Sequence, residues 1–337
     1  MKIFVLLTLA LLTSLSLFAG GPPLDRLVAT FSIVARDPAT EQMGIAVASR
    51  YFSVGAVVPW AEAGVGAVAT QANVNVGYGP RALELLHQGL TAQQVADRLL
   101  AEDKFPGKDG RQFAIVDAKG GVVTYTGPNA PKWAGGLKGA TWAAQGNILV
   151  GPEVPEAMGK VFETTRGELA EKLYAALKAG DAAGGDKRGR QSASILIVCG
   201  GREPCGRNTN NPRWLYINVD DNPDPFPELR RLLDSALAYN YGDQAYKLVQ
   251  QKKLPQAHAA AEKDVRYAPN SADSHMMLGF LSYLTGNKTA ALEEFEKARK
   301  LNPKFREQWD ASVNYFTAFR AILDDKEFLK KVLPENQ

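Results

Sequence analysis

The chain has 337 residues, 45% of them apolar and 22% charged, with a formal charge of +3. This is the composition of a globular protein long enough for one large domain and one small one, and the charge is too small to argue for nucleic-acid binding. Two cysteines and three scattered histidines (His87, His258, His275) are poor material for zinc, so no metal site is read and no cofactor is implied.

Residues 1–21 read as a signal peptide. Lys2 supplies the positive charge, Ile3 to Phe18 is a continuous run of apolar and small hydroxyl residues, and "SLFAGG" offers small residues for cleavage after Ala19 or Gly21. The 16-residue run is short for a membrane span, which needs about 20. No cysteine follows it for a lipid anchor. The chain is therefore expected to be exported, to the periplasm or the exterior. In that compartment Cys199 and Cys205, in "CGGREPCG", could close as a disulfide clip between neighbouring strands.

Strands are predicted over 29–36 and 43–49, joined by "RDPATEQ", and over 64–71. A helix over 80–88 starts at Pro80 and stops at Gly89. A second over 91–102 opens with a Thr91/Gln94 capping box. Strands 112–117 and 121–126 form a hairpin turned by Lys119-Gly120. Residues 142–151 read as a strand end and loop. Helices follow over 154–164 and 167–179, the second with Leu169, Leu173, Ala176 and Leu177 on one face. Strands 191–199 and 213–219 come next, then a short helix over 225–237. Hairpins separated by paired helices do not suit a doubly wound parallel sheet. They suit an α+β fold over 28–238, a four-layer αββα sandwich of two antiparallel sheets between helix layers.

The sequence changes character near residue 240, becoming polar, helical and almost free of glycine. Pro269 and Pro303 are 34 apart, as are Ala257 and Ala291. Leu278-Gly279, Tyr283, Gly286, Ala291, Phe295 and Ala298 fall where a tetratricopeptide-type helix pair needs them. The unit before it, 241–269, is degenerate: Lys252 stands where Gly286 stands, and Ala261 where Phe295 stands. A third helix pair over 305–332 would cap the stack. Residues 241–333 thus resemble tetratricopeptide repeats, which would either bind a protein partner or pack against the first domain.

Four polar clusters stand out from this background. They are Thr30; Ser49-Arg50; Gln71, Asn73, Asn75 and Tyr78 in "TQANVNVGYGP"; and Gln145 and Asn147 of "QGN" with Gly184, Gly185, Asp186, Arg188, Arg190, Gln191 and Ser192 of "AGGDKRGRQSAS". Each has a structural reading. Thr30 and Ser49 suit strand ends, Asn73, Asn75 and Asp186 suit turns, and Asp186 with Arg188 suits an ion pair. The stretches "TFSIVARDP…GIAVASRYFSVGAVVPWAEAGVGAVATQANVNVGYGP", "VDAKGG", "QGN" and "AGGDKRGRQSAS…VDDNPDP" resemble, in order, the domain-of-unknown-function 1028 family of the N-terminal-nucleophile (Ntn) hydrolase superfamily. The resemblance covers about 28 to 235. It implies a sandwich whose N-terminal Thr, Ser or Cys attacks an amide-type carbonyl.

On that implication Thr30 is the nucleophile. Its own α-amine serves as base, at a pKa of ~7.7–8.0 for a free terminus. Asn73 or Asn75 would bind the oxyanion. Arg50 would lower the amine pKa or grip a substrate carboxylate, and Ser49 and Ser192 would orient the amine. Gly184 and Gly185 would let the backbone approach the substrate. Asp186 would hold Arg188, the amine or a polar substrate group. Gln71, Tyr78, Gln145, Asn147, Arg188 and Gln191 would line the site. In the family the threonine follows the initiator methionine; here residues beyond the signal peptide precede it, so a second cut at Ala29–Thr30, by self-processing, is required. Without that cut the domain would be a non-catalytic binding or assembly module. Export alone suggests peptidoglycan peptides as substrate, and homo-oligomerisation stays open.

Overall fold

The structure, a computed structural model, describes residues 30–201, 205 and 212–334. The signal-peptide reading and the Ala29 side of the required cut lie outside these residues. β1 (Thr30–Arg36) and β2 (Met43–Ser49) form a hairpin with Thr30 opposite Ser49. Its turn is held by the Asp37 carboxylate, which accepts from the Ala39 N–H at 2.9 Å and the Thr40 hydroxyl at 3.1 Å. β3 (Pro59–Glu62), β4 (Gly66–Ala72), β5 (Arg111–Asp117) and β6 (Val122–Thr126) form a four-stranded antiparallel sheet in that order. β7 (Ala134–Lys138), β8 (Trp142–Asn147), β9 (Ser192–Val198) and β10 (Arg213–Val219) join the first hairpin in a second sheet, ordered β10-β9-β2-β1-β8-β7.

β3 and β7 were not expected. Both lie at sheet edges and are only partly buried, so neither carries an alternating apolar pattern. β3 opens on Pro59 and β7 carries Gly135-Gly136, residues that argue against a strand in sequence but are tolerated at an edge.

α1 (Tyr78–His87) and α2 (Ala92–Glu102) pack Leu83, Leu86, Val95 and Leu99 on Val68, Phe113 and Ile115 of the four-stranded sheet. Both halves of the Thr91/Gln94 capping box are present. Between the sheets lie Val34, Met43, Ile45 and Val47 with Ala67, Ala69, Ala114 and Val116. On the other face of the six-stranded sheet, Phe31, Ile33, Ile195 and Ile197 meet α3 (Glu153–Thr164), α4 (Leu169–Ala182) and the start of α5 (Pro225–Gln250). β1 is thus buried on both faces, odd residues one way and even residues the other.

The helix expected over 225–237 runs to Gln250, through the position where the domains were divided. Phe226, Leu229, Leu233, Leu237 and Tyr241 belong to the first domain's core, and Ala245 and Val249, further along the same stripe, to the next. With 3.6 residues per turn one helix serves two cores, so the division carries no linker. α6 (Leu254–Tyr267), α7 (Ala272–Leu284) and α8 (Lys288–Leu301) continue the stack. The third helix pair is interrupted: α9 (Phe305–Tyr315) is followed by a 3-10 stretch, Thr317–Asp324, before α10 (Lys326–Val332).

Phe295 packs edge-on against Phe280 and Trp309, and a Cβ at Gly279 would lie 2.7 Å from its ring. Gly286 and Lys252 both take left-handed φ, 90° and 60°, so the degenerate unit keeps the turn geometry without the glycine. The first pair of the stack is docked on the first domain. Tyr241 of α5 and Tyr267 of α6 are stacked, and their hydroxyls donate to Glu168 at 2.5 and 2.8 Å. Cys199 and Cys205 are joined, with Cα atoms 5.8 Å apart.

Candidate functional site

The pleat decides what Thr30 faces. Phe31 and Ile33 point to the helices, so Thr30, Ser32 and Val34 point toward the four-stranded sheet. Register then places Ser192, Ser49, Thr30 and Asn147 side by side on one rung of four strands. Ser32 pairs with Gln145 on a neighbouring rung. Facing them, Gln71, Gln112 and Thr126 form a matching row on the other sheet. Thr30, Gln71, Gln112, Gln145 and Asn147 are all fully buried.

Buried polar groups demand partners. Thr30 Oγ1 donates to Ser49 Oγ at 3.1 Å, and Ser32 Oγ to Gln71 Oε1 at 2.7 Å. Gln71 Nε2 donates to Gln112 Oε1 at 2.8 Å and to the Thr30 carbonyl at 3.3 Å. Asn147 Nδ2 donates to Gln112 Oε1 at 3.1 Å. Gln112 Nε2 reaches Thr126 Oγ1 at 2.9 Å and the Gly146 carbonyl at 2.8 Å. Gln145 is satisfied with its nitrogen toward Thr124 Oγ1 and the Phe113 carbonyl and its oxygen accepting from the Ala114 N–H.

A second group begins where this one ends. The Ser49 carbonyl accepts from the Gln191 N–H at 3.0 Å, and the Arg50 N–H donates to Asp186 Oδ2 at 3.1 Å. Asp186 also takes the Arg188 N–H at 2.9 Å and Arg188 Nη2 at 2.9 Å, while Arg50 Nη1 donates to the Arg188 carbonyl. Ser192 Oγ donates to the Tyr51 carbonyl and accepts from the Val54 N–H, tying down the loop after β2. Gln191 Nε2 donates to Asp221 at 3.1 Å. Gly184 and Gly185 take φ of 109° and 52°, and the Gly185 carbonyl accepts from Val150. Ile148, next to Asn147, has φ 53°, a strained setting for a β-branched residue and one that gathers at functional sites.

A cavity of about 380 Å³ opens here, lined by Ser49, Asp186, Gly189, Arg190 and Ser192, with Phe31 and Phe226 as apolar wall. Thr30 does not line it; Ser49, its hydrogen-bond partner, does.

The loop from 73 to 78 serves another group. Asn73 Nδ2 donates to the Gly107 carbonyl and its own carbonyl accepts from Arg111. Asn75 Oδ1 accepts from the Gly77 N–H at 3.0 Å, holding the entry to α1. The Tyr78 hydroxyl donates to Asp103 at 2.7 Å beneath α1, beside the buried Arg111–Asp103 pair. Burial, then the hydrogen bond to Asp103 and its charge, pushes the Tyr78 hydroxyl well above its ordinary value. Burial would raise Asp103 too, but bonds from Arg111, the Phe105 N–H and Tyr78 outweigh it and hold it down to about 2.

The structure therefore brings together Thr30, Ser49, Gln71, Gln145 and Asn147, and beside them Arg50, Gly184, Gly185, Asp186, Arg188, Gln191 and Ser192. Gln112 escaped the sequence reading. Its signal was a glutamine at an inward position of the buried strand "RQFAIVD", in phase with Ala114 and Val116. Among the described residues, no helix is long and apolar enough to cross a membrane, and no group of His, Cys, Asp or Glu could hold a metal ion.

Residues 30–229 match the family of unknown function DUF1028, the match opening on Thr30. No curated protein matches the chain. Among solved structures, the crystal structure of protein SPO2555 from Silicibacter pomeroyi, a DUF1028 protein, is 29% identical with a TM-score of 0.55. That similarity covers 62% of this chain and 86% of the other. By its sequence over 30–229, and by this fold, the chain belongs to the DUF1028 family.

Proposed function

We propose that residues 30–229 form an Ntn-type αββα sandwich and that the protein is an exported hydrolase of an amide-type C–N bond, with Thr30 as nucleophile. The observation that carries this reading is the place of Thr30. It heads a central strand, its Oγ1 is bonded to Ser49, and the Arg50–Asp186 group and the 380 Å³ cavity lie at the same strand end. Asn147, opposite Thr30 across the β1–β8 ladder and held by its bond to Gln112, supplies a side-chain amide in register for the oxyanion; Asn73 and Asn75 lie in the loop toward α1, away from Thr30.

Processing comes first. Thr30 Oγ1 bonds to the Ala29 carbonyl carbon, the C–N bond breaks, and the Thr30 nitrogen takes the hydroxyl proton. Water then hydrolyses the ester. The freed amine now accepts the Oγ1 proton as the oxygen attacks substrate; the C–N bond breaks, the leaving nitrogen takes the proton, and water releases the acyl group. N-terminal sequencing of the purified protein tests this. The expected start is Thr30, with Thr30→Ser processed and Thr30→Ala left with its preceding residues attached. A mature protein starting at Gly20 or Pro22 overturns it.

A second reading is a non-catalytic ligand-binding or assembly module on the same scaffold. It is favoured by the full burial of Thr30 and the dense bonding around it. Under it, Thr30→Ala leaves function intact. The helices from α5 onward are read as a tetratricopeptide-like stack whose first pair anchors it to the sandwich.

A further inference from the structure

A buried histidine stands in the helical stack, outside the segment that matches the family. His275 lies on α7 and is 4% exposed. Its ring Nδ1 is 2.5 Å from Glu294 Oε2 on α8. Its Nε2 is 2.8 Å from the carbonyl oxygen of Pro269, in the turn between α6 and α7. One side chain thus ties three parts of the stack together.

Both neighbours are acceptors. A backbone carbonyl has no proton to give, so the Pro269 contact requires a proton on Nε2. Glu294 is an anion: burial would raise its carboxyl, but the bonds from Lys297, at 2.7 Å, and from His275 outweigh it and hold it below its ordinary value. A carboxylate has no proton to give either, so the Glu294 contact requires one on Nδ1. A neutral imidazole carries a single N–H. It would satisfy one acceptor and turn a lone pair toward the other, at the cost of an unmet buried group. The imidazolium satisfies both.

The surrounding charges agree. Glu294 and Lys297 face the ring from α8, Asp264 interacts with it from α6, and Asp273 stands two residues before it on α7. Three carboxylates against one ammonium favour a cation among them. The other charged groups of the packed elements are engaged elsewhere. Lys263 and Arg266 of α6 lie over Tyr241 and Tyr267, and Asp243 of α5 pairs with Lys247. Arg320 of the 3-10 stretch donates to the Val313 carbonyl, Asp324 acts on Tyr283, and Arg306, Glu307 and Asp310 of α9 are exposed.

We propose that His275 is a buried imidazolium at neutral pH and a pH-sensitive clasp on the helical stack, holding the α6–α7 turn closed while both ring nitrogens are protonated and releasing it when alkaline pH removes the Nε2 proton. The Nδ1 proton stays, because a charged acceptor holds a donor more strongly than a carbonyl does. The released contact is therefore the one to Pro269. Closure is coupled to uptake of the second proton, so it is complete at neutral pH and lost as the pH rises. Nothing in this depends on Thr30 being a nucleophile.

The first test is nitrogen NMR of the full-length protein at pH 7.5 with 15N-labelled histidine rings. His87 and His258 keep side-chain exposures of 51% and 25%, so the ring with slowly exchanging protons is the buried one. Both of its nitrogens are expected to carry protons; a single ring N–H overturns the proposal without the need of any variant. The second test is hydrogen exchange by mass spectrometry at pH 7.5 and 9.5, corrected for the intrinsic pH dependence of exchange. The native α6–α7 turn is expected to lose protection at least tenfold at pH 9.5 while β1 and β2 hold theirs. In His275→Gln the turn should be open at both pH values. Glu294→Gln, which keeps the volume but removes the charge that retains the protons, should open it already at pH 7.5 and supplies a second reading should His275→Gln misfold. Undiminished protection of the native turn at pH 9.5, or the same pH dependence in the variants as in the native protein, overturns the proposal.

Discussion

The space between the two sheets and the core of the helical stack are equally buried and differently filled. In the stack, Phe280, Phe295, Trp309 and Phe319 pack ring against ring, and what matters at each position is volume. At the Thr30 end of the inter-sheet layer, glutamines, asparagine and hydroxyls occupy the same depth, and what matters is whether each finds its donor or acceptor. The first kind of interior tolerates swaps that keep its volume; the second also requires each swap to keep its donors and acceptors, and so holds side-chain positions more tightly. A site needing fixed geometry gains from the second.

The sharpest way to break this contrast is Phe295→Ala. It deletes a ring touching Phe280, Phe305, Trp309 and Phe328 and should cost about 3–5 kcal/mol in urea unfolding. Hydrogen exchange should accelerate in α7 and α8 while β1 and β2 hold their protection.

Next in size is acid dependence, where two buried aspartates have opposite signs. Asp264 has its folded pKa raised to about 6, so protonation favours the folded state; its contribution to stability rises as pH falls from about 7 toward the unfolded value, near ~3.9. Asp103 is held down to about 2, so its contribution is complete above the unfolded value and is lost as pH falls from about 4 through 2. Unfolding free energies across pH 7 to 2 should show both slopes; Asp264→Asn should remove the first and Asp103→Asn the second.

Gln112→Leu, close in volume, should cost about 1–3 kcal/mol because it strands the partners of a buried amide. If it proved neutral, the polar layer would not differ from an apolar one. At the small end, Arg98 and Glu102 lie 3.7 Å apart on the exposed face of α2; Arg98→Ala should change stability by no more than about 0.5 kcal/mol.

Local signals carried well where the local cause is complete. Thr91 and Gln94 make both capping bonds at neighbouring positions, and the capping box reads directly. The 34-residue spacing that pairs Lys252 with Gly286 placed two turns of the same left-handed geometry. Local signals failed where the deciding partner is distant. The stripe along α5 is continuous, but only the two cores at its ends explain why the helix does not stop at 237. Tyr78 and Asn73 stand in a polar motif beside Gln71, yet side-chain direction and the Asp103–Arg111 pair draw them under α1.

By itself the sequence determined the periodicities: two-residue alternation for buried strands, helical stripes, capping residues and the 34-residue repeat. The first three depend on neighbours within a few positions, and the last is one such local pattern met twice along the chain. It also marked Thr30, Ser49 and Asn147 as polar residues at strand ends and Asp186 as a turn residue. Only the tertiary structure decided that the first three share a rung and that Gln112 from the other sheet joins them. Register and sheet packing join residues tens of positions apart, and no local pattern encodes that distance.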